Sequence, residues 1–292
     1  MAGETKVYIL SVQNALAGIT IASWVYAKGM GEVFFVDPAQ SKDEIWALLR
    51  LADRMPVVLY DLTDHDSFGK QLAKIKGIQV KKQSVALSLD SLKMFFGQPP
   101  GVITASSSLM SNCIMGAILS VSLGYGFLPD VFNSPKIDFG WGKGSVPVVA
   151  IGSSEDFSGE KLPETKPLFL RDAADYYNYL IKHGHVPNYL LMMNSIDIFE
   201  SRPGGSSLSN MRVKGLSLLS MILASYRDVF PYDIFQENPD SRDVEKMVHD
   251  LVKKLGFEPK FQAILGAPGA FPFIFGENRE IAPNGEEPVR DI

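Results

Sequence analysis

The chain has 292 residues, 46% of them hydrophobic and 21% charged, which excludes a disordered chain, a collagen-like chain and a coiled-coil rod. Its 28 Lys and Arg against 33 Asp and Glu give a net charge of −5, with no basic stripe. Nucleic-acid binding is therefore not expected, because it needs several phosphate-neutralising cations on one face. Cys113 is the single cysteine, so no intramolecular disulfide can form. It sits in an apolar-periodic stretch and reads as a buried structural thiol.

The first strand is expected at Val7–Val12 and a helix rich in small residues at Ala15–Lys28, stopped by Gly29 and Gly31. Val33–Val36 is a fully apolar strand. Ser41 and Glu44 form a capping box for a helix whose inward face carries Ile45, Leu48, Leu49 and Ala52. Val57–Tyr60 is the next strand, Ser67–Lys76 a helix, Gly101–Ala105 a strand and Leu109–Leu123 a helix. Gly124–Pro147, rich in glycine and proline, reads as a loop or linker. Pro147–Ile151 resumes as a strand and Gly152–Lys166 as a polar loop. Helix Asp172–Lys182, strand Tyr189–Met193, a helix ending near Tyr226, helix Arg242–Leu255 and strand Phe261–Leu265 complete the pattern. Continuous apolar strands between amphipathic helices predict an α/β fold: two or three doubly wound, parallel-sheet, Rossmann-like repeats packed together.

Internal repetition supports that division. Ile21-Ala22-Ser23-Trp24 matches Leu223-Ala224-Ser225-Tyr226, and Ala150-Ile151-Gly152-Ser153 matches Ile264-Leu265-Gly266-Ala267. The expected units are residues 1–98, 99–165 (smaller, with the Gly/Pro-rich loop) and 166–292, the last truncated at its C-terminus.

No phosphate-binding loop, zinc-protease motif, nucleophile elbow, EF-hand or CxxC pair occurs in the sequence. No catalytic residue and no cofactor is therefore assigned. Asp61, Asp64 and His65, directly after a strand, could ligate a metal, though a helix cap explains the same residues. His183-Gly184-His185 could also share a metal, but reads first as a helix end. Three strand ends lead into polar turns, around Ser11 and Asn14, Ser106 and Ser107, and Asn194 and Asp197. Ligands of open parallel sheets bind beyond such ends, so these six residues are the candidate ligand site for a small anion or glycan, although helix capping explains the same Ser and Asn residues more readily. Glu155 and Asp156 are adjacent carboxylates, and Phe139, Trp141 and Phe157 are loop aromatics that either stack on a sugar, pack a partner or are partly buried.

Ser11-Val12-Gln13-Asn14-Ala15-Leu16 and Ala263-Ile264-Leu265-Gly266-Ala267-Pro268-Gly269-Ala270 resemble the type-2 cell-wall-binding repeat. That family has an Asp or Asn before Ala-Leu and a strand-end glycine pair. Here these are Asn14 and the pairs Gly266-Ala267 and Gly152-Ser153. The resemblance implies tandem Rossmann-like repeats that anchor a surface protein noncovalently to an anionic envelope polymer. Leu265-Gly266 with Phe271-Pro272-Phe273 is more faintly similar to the non-catalytic part of gingipain-like cysteine peptidases, and no catalytic residue carries over.

The expectation is a non-catalytic binding or scaffold module, partnered by an envelope polymer or by another domain of its parent protein. The alternatives are a hydrolase, or part of a peptidase-like enzyme, with a strand-end crevice, and a nucleotide or sugar binder. No signal peptide and no apolar run long enough to span a bilayer are seen, so no membrane insertion is expected. An excised piece of a surface protein would lie outside the cytoplasm.

Overall fold

A computed structural model describes residues 5–11, 15–36, 57–62, 70, 74, 78–133, 147–157, 167–194, 228–234 and 241–265. The helices expected at 41–52 and 67–76, the one ending near Tyr226, the loop aromatics Phe139 and Trp141, and the turn residues Asn14, Asp64, His65 and Asp197 lie wholly or mostly outside these.

Among the described residues, every strand pairing is parallel, and the strands fall into three sheets. The first contains β1 (Thr5–Ser11), β2 (Glu32–Val36), β3 (Val57–Asp61) and β4 (Ile78–Lys82), in the order β2-β1-β3-β4. The second contains β5 (Val102–Ala105), β6 (Gly126–Phe127), β7 (Val148–Ile151) and β8 (Leu168–Leu170), in the order β6-β5-β7-β8. The third contains β9 (Tyr189–Met193), β10 (Val229–Asp233) and β11 (Phe261–Leu265), in the order β10-β9-β11. Each sheet starts at an inner strand, adds one strand on one side and then turns back to the other. This is the doubly wound arrangement, with a topological switch point beside the first strand. The fold is α/β, as the alternation of elements predicts.

Among the described residues the helices are α1 (Ala15–Lys28), α2 (Leu89–Phe96), α3 (Met110–Leu123), α4 (Ala173–Lys182) and α5 (Ser241–Leu255). Helices α1 and α3 are apolar almost all round, with Ser23 and Ser120 hydroxyls donating to the carbonyls of Thr20 and Ala117 three residues back. Such helices must be covered on more than one side. Helix α1 packs against α2, α3 and β6, and α3 packs against α4 and β10. The first helix of one sheet thus lies on the outer strand of the next, twice in succession. Trp24 of α1 donates its indole N–H to the Phe127 carbonyl of β6 at 2.7 Å. Tyr176 of α4, fully buried, donates its hydroxyl to the Met115 carbonyl of α3 at 3.1 Å. One contiguous cluster of buried apolar residues runs through all three sheets, from Tyr8 to Phe257.

One expectation needs correction. Gly124–Pro147 is not simply a loop: it contains β6 and a 3-10 turn at Val131–Asn133. A two-residue strand beginning at a glycine shows no periodicity. Phe157 takes the burial alternative: it is 1% exposed and meets Phe132 edge-on at 5.4 Å. Strands β4, β8 and β10 and helix α2 were not expected. The second sheet extends to Leu170, so its described strands occupy residues 102–170.

Tyr8 in β1 stacks on Tyr60 of β3 with ring centroids 4.9 Å apart. Burial, with Tyr60 alongside, pushes its phenol up to about 12. An acid whose folded pKa is raised stabilises the fold fully below its unfolded pKa and loses that contribution as pH rises through the folded value. Chemical denaturation between pH 9 and 12 should therefore show stability falling from about pH 10 upward. Tyr8→Phe should flatten that fall without changing its onset at other tyrosines.

Candidate functional site

The candidate residues from sequence sit, where described, at carboxyl ends of strands. Ser11 ends β1, Asp61 ends β3, Ser106 and Ser107 follow β5, and Asn194 follows β9. These ends belong to three different sheets, and Asn14 and Asp197 lie outside the described residues.

Ser106 and Ser107 are taken up by the turn itself. The Ser106 carbonyl accepts from the Leu109 N–H at 3.0 Å and from the Cys113 thiol at 3.4 Å, while the Ser106 and Ser108 hydroxyls pair at 2.8 Å. The Ser107 N–H donates to Asp130 Oδ1 at 2.7 Å. Asp130 holds the left-handed conformation at φ 50° and donates its own N–H to the Ala105 carbonyl. The turn is a closed hydrogen-bonded unit beside the β5/β7 switch point. Burial, followed by the nearby Asp130 charge, pushes the Cys113 thiol far up, so it stays protonated and is a poor nucleophile. Asn194 is 2% exposed and lies inside the protein rather than in a crevice.

His183 is the C-cap of α4. Its Nδ1 lies 2.8 Å from the Tyr179 carbonyl, and Gly184 follows at φ 81°. The helix-end reading of His183-Gly184-His185 holds. Among the described residues, no group of three or more His, Cys, Asp or Glu could hold a metal ion. Of the metal candidates Asp61, Asp64 and His65, only Asp61 is described, as the last residue of β3.

A cleft opens elsewhere, at the carboxyl ends of β7 and β8. It measures about 450 Å³ and is lined by Asn112, Met115, Ser153, Asp156, Asp172 and Tyr232, among others. One wall is the first turn of α3, whose N-cap Leu109 supplies no side-chain cap. Opposite it stands β10 of the third sheet. The floor follows Gly152, whose N–H donates to the Leu170 carbonyl at 2.9 Å. A Cβ at Gly152 would sit 2.4 Å from Asp156 Oδ2 and 3.0 Å from Asn112 Nδ2, so only glycine lets these two side chains close over the strand end.

Asp156 and Asp172, two of the carboxylates here, are held by local backbone. Asp156 Oδ2 accepts from the Ser153 N–H at 2.7 Å and hydroxyl at 3.3 Å. Asp172 is the N-cap of α4 and accepts from the Asp175 N–H at 2.8 Å. Asp175 in turn accepts from the Arg171 N–H at 3.0 Å, which closes the cap. Tyr232 has its phenol pKa raised, first by burial and then by Asp233 beside it, so it remains a neutral donor and acceptor.

Sequence reading reached Asp156 as half of the Glu155-Asp156 pair, and Asp172 as a helix start. It missed Asn112, Tyr232 and Asp233. Asn112 looks like any residue of an apolar helix, and Pro231 hides β10. The only usable signal was the strand-end glycine Gly152. No family model and no curated protein matches the chain.

Proposed function

We propose that the chain is a non-catalytic binding module of the cell envelope, built from successive Rossmann-like units, and that it works outside the cytoplasm. One observation carries this reading. The same strand order recurs along the chain, and the first helix of each of two sheets packs on the outer strand of the next. Repetition of this kind makes extended surfaces with similar ligand positions at unit boundaries, rather than one enclosed catalytic pocket. Two further facts agree with it. The cleft lies between the second and third sheets, and its Asp156 and Asp172 carboxylates are engaged in turn and cap hydrogen bonds. The resemblance to the cell-wall-binding repeat names the partner class, an envelope polymer. Among the described residues no helix is long and apolar enough to cross a membrane, which fits attachment through a polymer.

Co-sedimentation with cell envelopes from the source organism tests this reading. The chain should pellet with them in a salt-sensitive manner, and pelleting should be lost once the polymer is extracted. Failure to pellet at any salt concentration overturns the envelope reading.

A further inference from the structure

A second depression, of about 310 Å³, adjoins the cleft of about 450 Å³ and shares Asp172, Ala173 and Tyr232 with it. It continues past the start of α4 to Met247, Asp250 and Lys254 of α5. Together they form one groove that crosses from the second sheet to the third. Each part alone is within the roughly 300–1,000 Å³ typical of small-molecule sites. Joined end to end, they suit a chain of several rings better than one rounded molecule.

The charged groups along the groove are Asp156, Asp172, Asp233 and Asp250 against Arg171 and Lys254. That excess of carboxylates opposes a polyanion and favours a ligand bearing positive charge. The remaining polar side chains are the Asn112 amide, the Ser111 and Ser153 hydroxyls and the Tyr232 phenol, each able to donate and accept. These match ligand hydroxyls, and a bare polyamine would leave them unmatched. A peptide is a poor fit for a different reason. The wall formed by β10 is the outer strand of its sheet, but Pro231 at its centre removes a ladder donor, and α3 already packs against it.

We propose that this groove binds an oligosaccharide carrying free amino groups. The inference rests on the binding-module reading and deepens it by naming the charge of the ligand, opposite to that implied by the family resemblance.

Titration calorimetry of the whole chain with a glucosamine oligomer tests it, with the N-acetylated oligomer, oligolysine and poly(glycerol phosphate) as comparisons. Asp172→Asn keeps the helix cap, since asparagine caps as well as aspartate, and Asp156→Asn keeps an acceptor for the Ser153 N–H. The double variant should unfold at the parent temperature yet bind the glucosamine oligomer about tenfold or more weakly, as expected for the loss of charge-assisted hydrogen bonds. Added salt should weaken binding to the parent in the same direction. No binding of the glucosamine oligomer, or binding unchanged in the double variant, overturns the proposal. So does tighter binding of oligolysine, or of poly(glycerol phosphate), at the same residues. The two readings separate cleanly. Envelope pelleting that survives in the double variant, without amino-sugar binding, removes the ligand and leaves the module. Amino-sugar binding without pelleting removes the envelope and leaves the groove.

Discussion

Trp24→Ala lowers the free energy of unfolding by about 3–5 kcal/mol, the largest loss expected from any single truncation in the described core. Trp24 has no exposed surface and lies in a tilted contact with Phe96, ring centroids 5.9 Å apart. Its indole N–H is the partner of the Phe127 carbonyl in β6. Removing it leaves a cavity between the first and second sheets and a buried carbonyl without that donor. The loss is read as the shift of the denaturant midpoint, with the slope expected to hold. Gly126 offers an internal check. A Cβ there would lie 2.4 Å from the Trp24 ring, so Gly126→Ala should cost about 1–3 kcal/mol by overpacking. In the Trp24→Ala background that cost should largely vanish, because the obstructing ring is gone. Additive losses would mean the two residues do not form the joint between sheets.

Gly31→Ala should be the most damaging small substitution. Gly31 lies at φ 148°, immediately before β2, and an added Cβ would fall 2.2 Å from the Lys6 carbonyl oxygen in β1. A backbone carbonyl within a paired strand cannot swing aside as a side-chain tip can. Relief must come from moving β2 away from β1, where Val7 faces Glu32 and Ser11 faces Val36. Backbone strain and overpacking together should cost at least about 3 kcal/mol. Thermal unfolding followed by circular dichroism measures it. A midpoint within a degree or so of the parent would show that β2 shifts freely and that the joint to β1 is soft.

The parts of the fold legible in the sequence were those whose signal is local. Helix α1 begins and ends at the residues expected, because a stretch of apolar and small residues stops at Gly29. Strands β3, β5, β7 and β9 are short apolar runs bounded by polar turns, and they too lie where expected. The elements that escaped depend on partners far along the chain. Strand β4, with Lys81 and Lys82, carries polar residues because it is the outer strand of its sheet. β10 contains a proline, tolerated for the same reason. β6 has two residues and is fixed by the Gly101 and Ile103 carbonyls, which accept from Gly126 and Leu128. The candidate site was legible only as a rule: strand ends lead to ligands. Which strand end could not be read, because the cleft is closed by Tyr232 and Asp233, on a strand that sequence reasoning did not see.

The joint between Trp24 and Phe127 also sets a schedule for synthesis. The two residues are 103 positions apart, and nearly all of α1 is buried in the finished molecule. At roughly 5–20 residues per second, the ribosome delivers β6 about 5–20 s after α1. For that interval the first sheet carries an apolar helix face with nothing to cover it, and α3 then waits in its turn for β10. A nascent chain of this kind is a natural client for a holdase that grips apolar helices. Its need for one should rise when rare codons slow translation between positions 28 and 126.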